Sequence, residues 1–508
     1  MNSYPILCII FVTFGSFFYG YDSGCTTSIF GYPSFLEYFD LDVNKIGGFG
    51  SAYYGGSVIG SVVNFWLPDK YGRIFTVQAS CVICILGVSM QTGAQGFATL
   101  LVGRIIGGIA CGMVFSVCPS FASEISSPNI RGRIAAIYSV NCQVAYALTE
   151  WMGLGFSYLS GNVSWRVLLG LQLVPAVLML AGSFWMPESP RWLILKGRQE
   201  EALKVLHRMH RSVNGDEDFY LKEFHQIRAQ LELEGKQSMG MAAIFKDRRL
   251  WRRASMPIIF YAFVMFTGVI PLQNYQVFVY GSLGIGNKVS LVLTGVWGTT
   301  ACISNSIGLF FMDKIRRRTA FFTSMSIITT GSLLLVAFWA TYEKTNSTDK
   351  VFGRLSIFSM FMFEVGFTLF LNTFGFLYFP EILPLKIRAT GVSAGLGAFN
   401  AITIMLVQVT PLALEAISWK FFMIFVIMDA VFITYFYFLF PETSGKTLEE
   451  IAGVFGDTVA ETIEDAGQHL DELQDIVTKE APEAAEHGMV KTANARHVEN
   501  AVEIGREK

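Results

Sequence analysis

Charge is what this chain lacks. Only 15% of its 508 residues are Asp, Glu, Lys or Arg, against about 25% in a soluble domain. Together with 52% hydrophobic residues and a mean hydropathy of +0.45, the deficit means that much of the surface faces lipid. A net charge of −2 supplies no basic field for nucleic acid. Histidine is scarcer still. His207, His210, His225, His469, His487 and His497 all lie outside the apolar runs, so any proton carried through a membrane must be carried by a carboxylate. The eight cysteines sit in or beside apolar runs, where thiols serve as small apolar fillers. Cys81-x-x-Cys84 has no second pair and no nearby His, which argues against zinc or redox chemistry. No nucleophile–base set, phosphate loop or metal-ligand cluster occurs, so neither an enzyme nor a bound cofactor or metal is expected.

What the chain has is apolar runs of about 20 residues, enough to span a bilayer. Twelve are read, at 5–29, 45–67, 74–92, 97–122, 134–158, 165–186, 255–280, 289–312, 319–341, 352–379, 388–413 and 420–440. The first starts at Pro5 with no basic stretch and no small-residue cleavage site, so it reads as a span and not as a cleaved leader. The expected fold is an all-α membrane protein of twelve transmembrane helices. Six fall in residues 1–186 and six in 255–441, with cytosolic linker helices at 187–254 and an acidic tail, 442–508, expected to be partly disordered. In the linker, Leu203, Leu206 and Met209 alternate with Glu200, Glu201, Lys204 and Arg208 and predict an amphipathic helix; a second is expected near 219–233.

Three signatures occur twice, about 250 residues apart and in the same order. Asp69-Lys70-Tyr71-Gly72-Arg73 recurs as Asp313-Lys314-Ile315-Arg316-Arg317. Glu124 with Arg131 recurs as Glu381 with Arg388. Pro187-Glu188-Ser189 recurs as Pro441-Glu442-Thr443. This is an internal duplication of a membrane unit, which points to a carrier. An even number of spans per unit puts both copies in one orientation, as parallel repeats require. Lys and Arg concentrate in the loops that carry these signatures, so that face, with both termini, is expected to be cytosolic. The acceptors Asn162-Val163-Ser164 and Asn346-Ser347-Thr348 fall on the opposite face, as glycosylation sites would.

With these residues in view, the chain resembles the sugar porter branch of the major facilitator superfamily, in its fungal style. The resemblance covers about residues 10–450. It rests on Gly20-Tyr21-Asp22, Asp69…Gly72-Arg73, Gly103-Arg104-Ile105-Ile106-Gly107-Gly108, Glu124…Arg131-Gly132-Arg133 and Pro187-Glu188-Ser189-Pro190-Arg191-Trp192. Glu381…Arg388 and Pro441-Glu442-Thr443…Leu448-Glu449-Glu450 complete it. It implies the major facilitator fold, a carrier that alternates access around a central site, and a small solute as substrate in a plasma membrane. It also implies that Asp69, Arg73, Glu124, Arg131, Glu188, Arg191, Asp313, Arg317, Glu381, Arg388 and Glu442 form cytosolic salt bridges that act as a gate. Arg316 stands where the pattern has Gly, so the second copy is expected to be looser or differently shaped.

Asp22, Arg104, Glu150, Glu364 and Asp429 fall within spans, where each charge needs a partner or a wet cavity. The resemblance makes Asp22 and Arg104 a pair whose protonation is linked to solute binding, with a proton as co-substrate. For the solute site it points to Gln143, Tyr146, Glu150, Gln273, Asn274, Tyr275, Asn372, Phe376 and Asn400. Here the match weakens: the tryptophan of the family's tenth span falls on Phe376, and the paired glutamines of its seventh fall on Val269-Ile270. A polyol needs many fixed hydrogen bonds, so these changes suit an altered glycoside or a less polar metabolite. Three functions remain open: a sugar carrier driven by protons, as the resemblance implies; an importer or exporter of a non-sugar such as a ring acid; and a sensor that binds without transporting.

Overall fold

Helix is the only regular structure among the described residues. Lipid offers the backbone no partners, and a helix bonds its own amides. The computed structural model describes residues 3–64, 66–125, 131–210, 248–312, 314–345, 349–383 and 388–444, with 220, 224, 227, 228 and 231 of the linker. The acidic tail from 445 onward lies outside the described residues, as does most of the second linker helix expected near 219–233.

Each apolar run is occupied by helix. The first holds α1 (Ser3–Thr13) and α2 (Ser16–Ile29), broken at Phe14-Gly15. Then come the short α3 (Pro33–Tyr38), α4 (Val43–Val63), the short α5 (Leu67–Tyr71), α6 (Arg73–Thr92), α7 (Phe97–Ile125) and α8 (Arg131–Phe156). The sixth run holds α9 (Val163–Gly170) and α10 (Leu173–Ser183); α11 (Pro190–Leu195) and α12 (Gln199–His210) open the linker. The second half holds α13 (Arg248–Met265), α14 (Val269–Ser282), α15 (Asn287–Met312), α16 (Arg317–Lys344), α17 (Lys350–Gly366), α18 (Asn372–Ile382), α19 (Arg388–Ile417) and α20 (Lys420–Leu439). Gly268, at φ 93°, separates α13 from α14. A π-turn at Phe367–Leu371 joins α17 to α18.

Among the described residues, eight helical stretches are long and apolar enough to cross a membrane by that measure alone. The runs that fall short contain α1–α2, α4, α8 and α15. The reason is in the packing. α4 lies on α19, α8 on α15, and α2 on α14, so these helices make the contact between the two halves. The glycines, serines and threonines that let these helices pack closely on their neighbours lower their hydropathy.

Close packing in the first half depends on small residues. A methyl added at Gly56, Gly60, Gly108 or Gly112 would overlap a backbone carbonyl of the facing helix: Ile105, Ile109, Tyr53 and Ser57 respectively. α4 and α7 therefore meet backbone to backbone. In the second half the core is aromatic instead. Phe260, Phe321, Phe374 and Phe436 stack across α13, α16, α18 and α20, with Phe321 and Phe436 centroids 3.6 Å apart. In the linker, Trp192 and Leu193 of α11 and Ala202 and Leu206 of α12 bury against Phe224. Gly108→Val is expected to lower the melting temperature of the detergent-solubilised protein by several degrees, because overpacking costs about 1–3 kcal/mol. Gly55→Ala, which faces open space, is expected to leave it unchanged or slightly raised.

Candidate functional site

The most deeply buried cation among the described residues is Arg104, on α7, with 1% of its surface exposed. Its Nη1 donates to Asp22 Oδ1 at 2.8 Å and its Nη2 to Thr26 Oγ1 at 2.8 Å. Gln172 Nε2 donates to the same Asp22 oxygen at 2.9 Å. The rings of Phe49 and Tyr53 lie 4.4 and 4.6 Å from the guanidinium carbon, so the cation is held by aromatic faces as well as by a carboxylate. Asp22 Oδ2 accepts no hydrogen bond. Asp22 lines a cavity of about 20 Å³ together with Tyr53, Gln172, Cys84 and Cys111, room for one water.

A second polar cluster joins the halves. Thr27 Oγ1 on α2 donates to the Gln273 carbonyl at 3.0 Å and lies 3.5 Å from the Tyr146 hydroxyl. Gln276 Nε2 donates to Glu150 Oε1 at 3.0 Å, and Tyr280 donates to Gln276 at 3.2 Å. Asn274 donates to the Tyr54 hydroxyl at 3.4 Å, Tyr275 to the Val407 carbonyl at 2.8 Å, and Ser51 to Gln408 at 2.8 Å. Tyr146, Glu150, Gln273, Asn274 and Tyr275 thus meet around α8 and α14. Gln143 is half-buried on α8 and Asn372 half-buried at the start of α18. Asn400 spends its amide on the Leu396 carbonyl of its own helix at 3.0 Å. The Phe376 side chain lies outside the described residues.

The third cluster lies at the helix ends that carry the duplicated signatures. Arg73 makes a two-pronged contact with Glu124 (2.9 and 2.8 Å) and a third bond to Asp69 (3.1 Å). The Arg73 and Glu124 side chains are about nine-tenths buried while Asp69 is open, so Glu124 carries most of the attraction. Glu188 accepts the backbone N–H groups of Arg73 (2.9 Å) and Ile74 (3.2 Å), capping the start of α6. Burial pushes the Glu188 carboxyl up from its ordinary value, against the pull of those donors and of Arg73.

Glu442 repeats this at α16, accepting from the Arg317 and Arg318 N–H groups at 3.0 Å each. The two caps differ at one residue. Gly72 sits at φ 103°, and a methyl there would overlap Glu188; Arg316 turns the chain at φ −59°, ψ 139° instead. The second copy is therefore differently shaped, with its cap retained. Arg191 lies on α11, while Asp313 and the side chains of Arg131, Glu381 and Arg388 lie outside the described residues. Asn162 stands just before α9 and accepts from Trp165 at 3.2 Å; Asn346 is outside the described residues.

Sequence reasoning missed Thr26, Gln172, Phe49, Tyr53, Thr27 and the Ser51–Gln408 and Ser139–Asn305 contacts. A signal existed for three of them: Gln172 is a lone amide within the sixth apolar run, and Thr26 and Thr27 lie in the polar stretch Thr26-Thr27-Ser28 that interrupts the first.

A helical membrane bundle with buried charge at its centre and matched charged caps on its two halves is a carrier of the major facilitator fold. Its sequence matches the family described as "Sugar (and other) transporter" over residues 8–455, and the chain belongs to that family. It is similar to the MFS-type transporter criB of Aspergillus cristatus, 28% identical over 461 residues that cover 90% of this chain and 94% of that one. It is equally similar to a high-affinity glucose transporter of Kluyveromyces lactis, 28% identical over 472 residues covering 87% and 83%. The fold matches the Escherichia coli proton:xylose symporter XylE, solved with 6-bromo-6-deoxy-D-glucose, at a TM-score of 0.73 and 20% identity, covering 90% of this chain and all of that one. These neighbours are transporters and not enzymes, and the chain is an integral, multi-pass membrane protein.

The pairing at Arg104 sets an order of stability. Asp22→Ala leaves a buried guanidinium uncompensated and is expected to cost about 3–5 kcal/mol, read as a fall in melting temperature. Asp22→Asn, which keeps an acceptor for Arg104, is expected to lose clearly less.

Proposed function

We propose that the protein is a secondary carrier that moves a sugar or sugar-like solute by alternating access, with a proton as co-substrate. The observation that carries this reading is the Asp22–Arg104 pair, buried beside a water-sized cavity with one carboxylate oxygen free. Protonation of Asp22 weakens its hold on Arg104, leaving Thr26 and the two ring faces to keep the cation. Movement of Arg104 then passes to α4 through Phe49 and Tyr53, and so to the contact between α4 and α19.

The arrangement of contacts supports alternation. The bonds at Thr27, Ser51, Asn274 and Gln276 join the halves at helix ends away from the charged caps, which suits a state closed on that side. In this reading the two halves, 1–186 and 255–441, each contribute six crossings, the linker 187–254 and tail 442–508 are cytosolic, and the membrane is the plasma membrane. The relatives named for glucose and xylose favour a sugar. A non-sugar metabolite is the second reading, favoured by Glu150 where neutral amides would suit a polyol and by the self-bonded Asn400.

The test is uptake of labelled D-glucose by the purified chain in liposomes. An inward proton gradient is expected to drive accumulation that an uncoupler abolishes. Asp22→Asn is expected to abolish accumulation and to spare exchange of labelled for unlabelled sugar. Gradient-driven uptake unchanged in that variant removes the proton role, and uptake of a ring acid without uptake of glucose selects the second reading.

A further inference from the structure

Two more carboxylates, Glu150 and Glu364, are buried in the helix bundle, and no cation is bonded to either among the described residues. Glu150, on α8, is fully buried. Its Oε1 takes the Gln276 amide from the opposite half at 3.0 Å. Its Oε2 has no donor and is pressed on α15, where a methyl at Gly298 would overlap that oxygen. Glu364, on α17 just before the π-turn, is buried with its own Oε2 unpartnered. The two carboxylates flank α15: Gly298 meets Glu150, and the adjoining Trp297 packs on Phe361, one turn from Glu364.

A third group points to the same place. Trp297 precedes Gly298 and packs on Phe361, one turn from Glu364, with ring centroids 5.6 Å apart. It is fully buried, and its indole N–H donates to nothing. The titratable groups facing the pair are Tyr146 on α8 and Tyr280 on α14. α15 adds the Gly298 backbone, and among the described residues no ion pair includes Glu364.

Asp22 has a permanent cation; this pair has only neutral partners. Closing α8 onto α14 and α15 around two bare negative charges is costly, and the contact at Gly298 is too tight for a bulky counter-ion. Opening the contact returns both groups to water. We propose that Glu150 and Glu364 form a second proton site, separate from the Asp22–Arg104 pair, loaded as this contact closes. A hydronium of the pathway water gives up a proton, an O–H bond forms on the pair, and the proton returns to water when the contact opens. The proposal rests on reading the chain as an alternating-access carrier.

The test needs no solute. The Trp151 indole lies over Gly295 and donates to Thr299 at 2.9 Å, and Trp297 adjoins Gly298, so intrinsic emission reports this contact. The full chain in detergent is titrated from neutral to acid pH. The wild type is expected to show an emission transition that is lost in Glu150→Gln and Glu364→Gln and kept in Asp22→Asn. A transition unchanged in both glutamine variants, or lost in Asp22→Asn, overturns the proposal. A monodisperse elution peak certifies the folding of each variant.

Should the glutamine variants misfold, Gly298→Ala perturbs the contact while leaving both carboxylates in place. It is expected to move the midpoint to lower pH, and an unmoved midpoint overturns the proposal. Labelled D-glucose uptake on the same preparations separates the two readings. Uptake with no glutamate-dependent transition defeats the second proton site alone. A glutamate-dependent transition with no uptake of any solute defeats the carrier reading alone.

Discussion

Arg104 cannot shed its charge, and it lies inside a bundle built for lipid. That constraint shapes the centre of the first half. A guanidinium offers five donors, and the structure answers with the Asp22 carboxylate, the Thr26 hydroxyl and two aromatic faces. These groups come from α2 and α4, so one side chain on α7 binds two neighbours at once. Gln172 brings in the residue just before α10 as well. The negative charge of Asp22 is the strongest of these partners, and the proton coupling proposed above acts on that one contact.

The caps at α6 and α16 solve a different electrostatic problem. A helix start exposes unpaired N–H groups and a partial positive charge, and here each is met by a half-buried glutamate from the chain that follows the sixth or twelfth run. The duplication thus keeps a physical device: a carboxylate that ties the last apolar run of each half to its third. Gly72 and Arg316 reach it by different backbone routes. The tie needs only that two N–H groups point at the carboxylate, and either route achieves that.

Between the halves, the bonds are few and mostly neutral. Hydroxyls, amides and backbone carbonyls meet there, contacts that can be exchanged for water without stranding a charge. Glu150 and Glu364 are the exceptions, and the proton site proposed for them is what lets such a contact close. The rigid contacts lie elsewhere, in the backbone-to-backbone seam of α4 and α7 and the aromatic stack of the second half.

Much of this was legible in advance. Apolar runs of spanning length marked the helices, because lipid permits little else, and the doubled signatures marked the two halves and the charged face. Asp22 and Arg104 stood out because charge is rare inside such runs. What lay beyond reach were neutral partners: Phe49, Tyr53, Ser51 and Gln408 look like ordinary residues of an apolar helix until another helix faces them. The π-turn after Glu364 and the break at Gly268 were likewise invisible, since they arise where a helix bends to pack. The sequence by itself determined where helices run and which charges must be answered, because hydrophobicity and charge are properties of single residues. Only the tertiary structure decided which helix answers each charge, because a partner is set by the distance between chains and not by the residue's own chemistry.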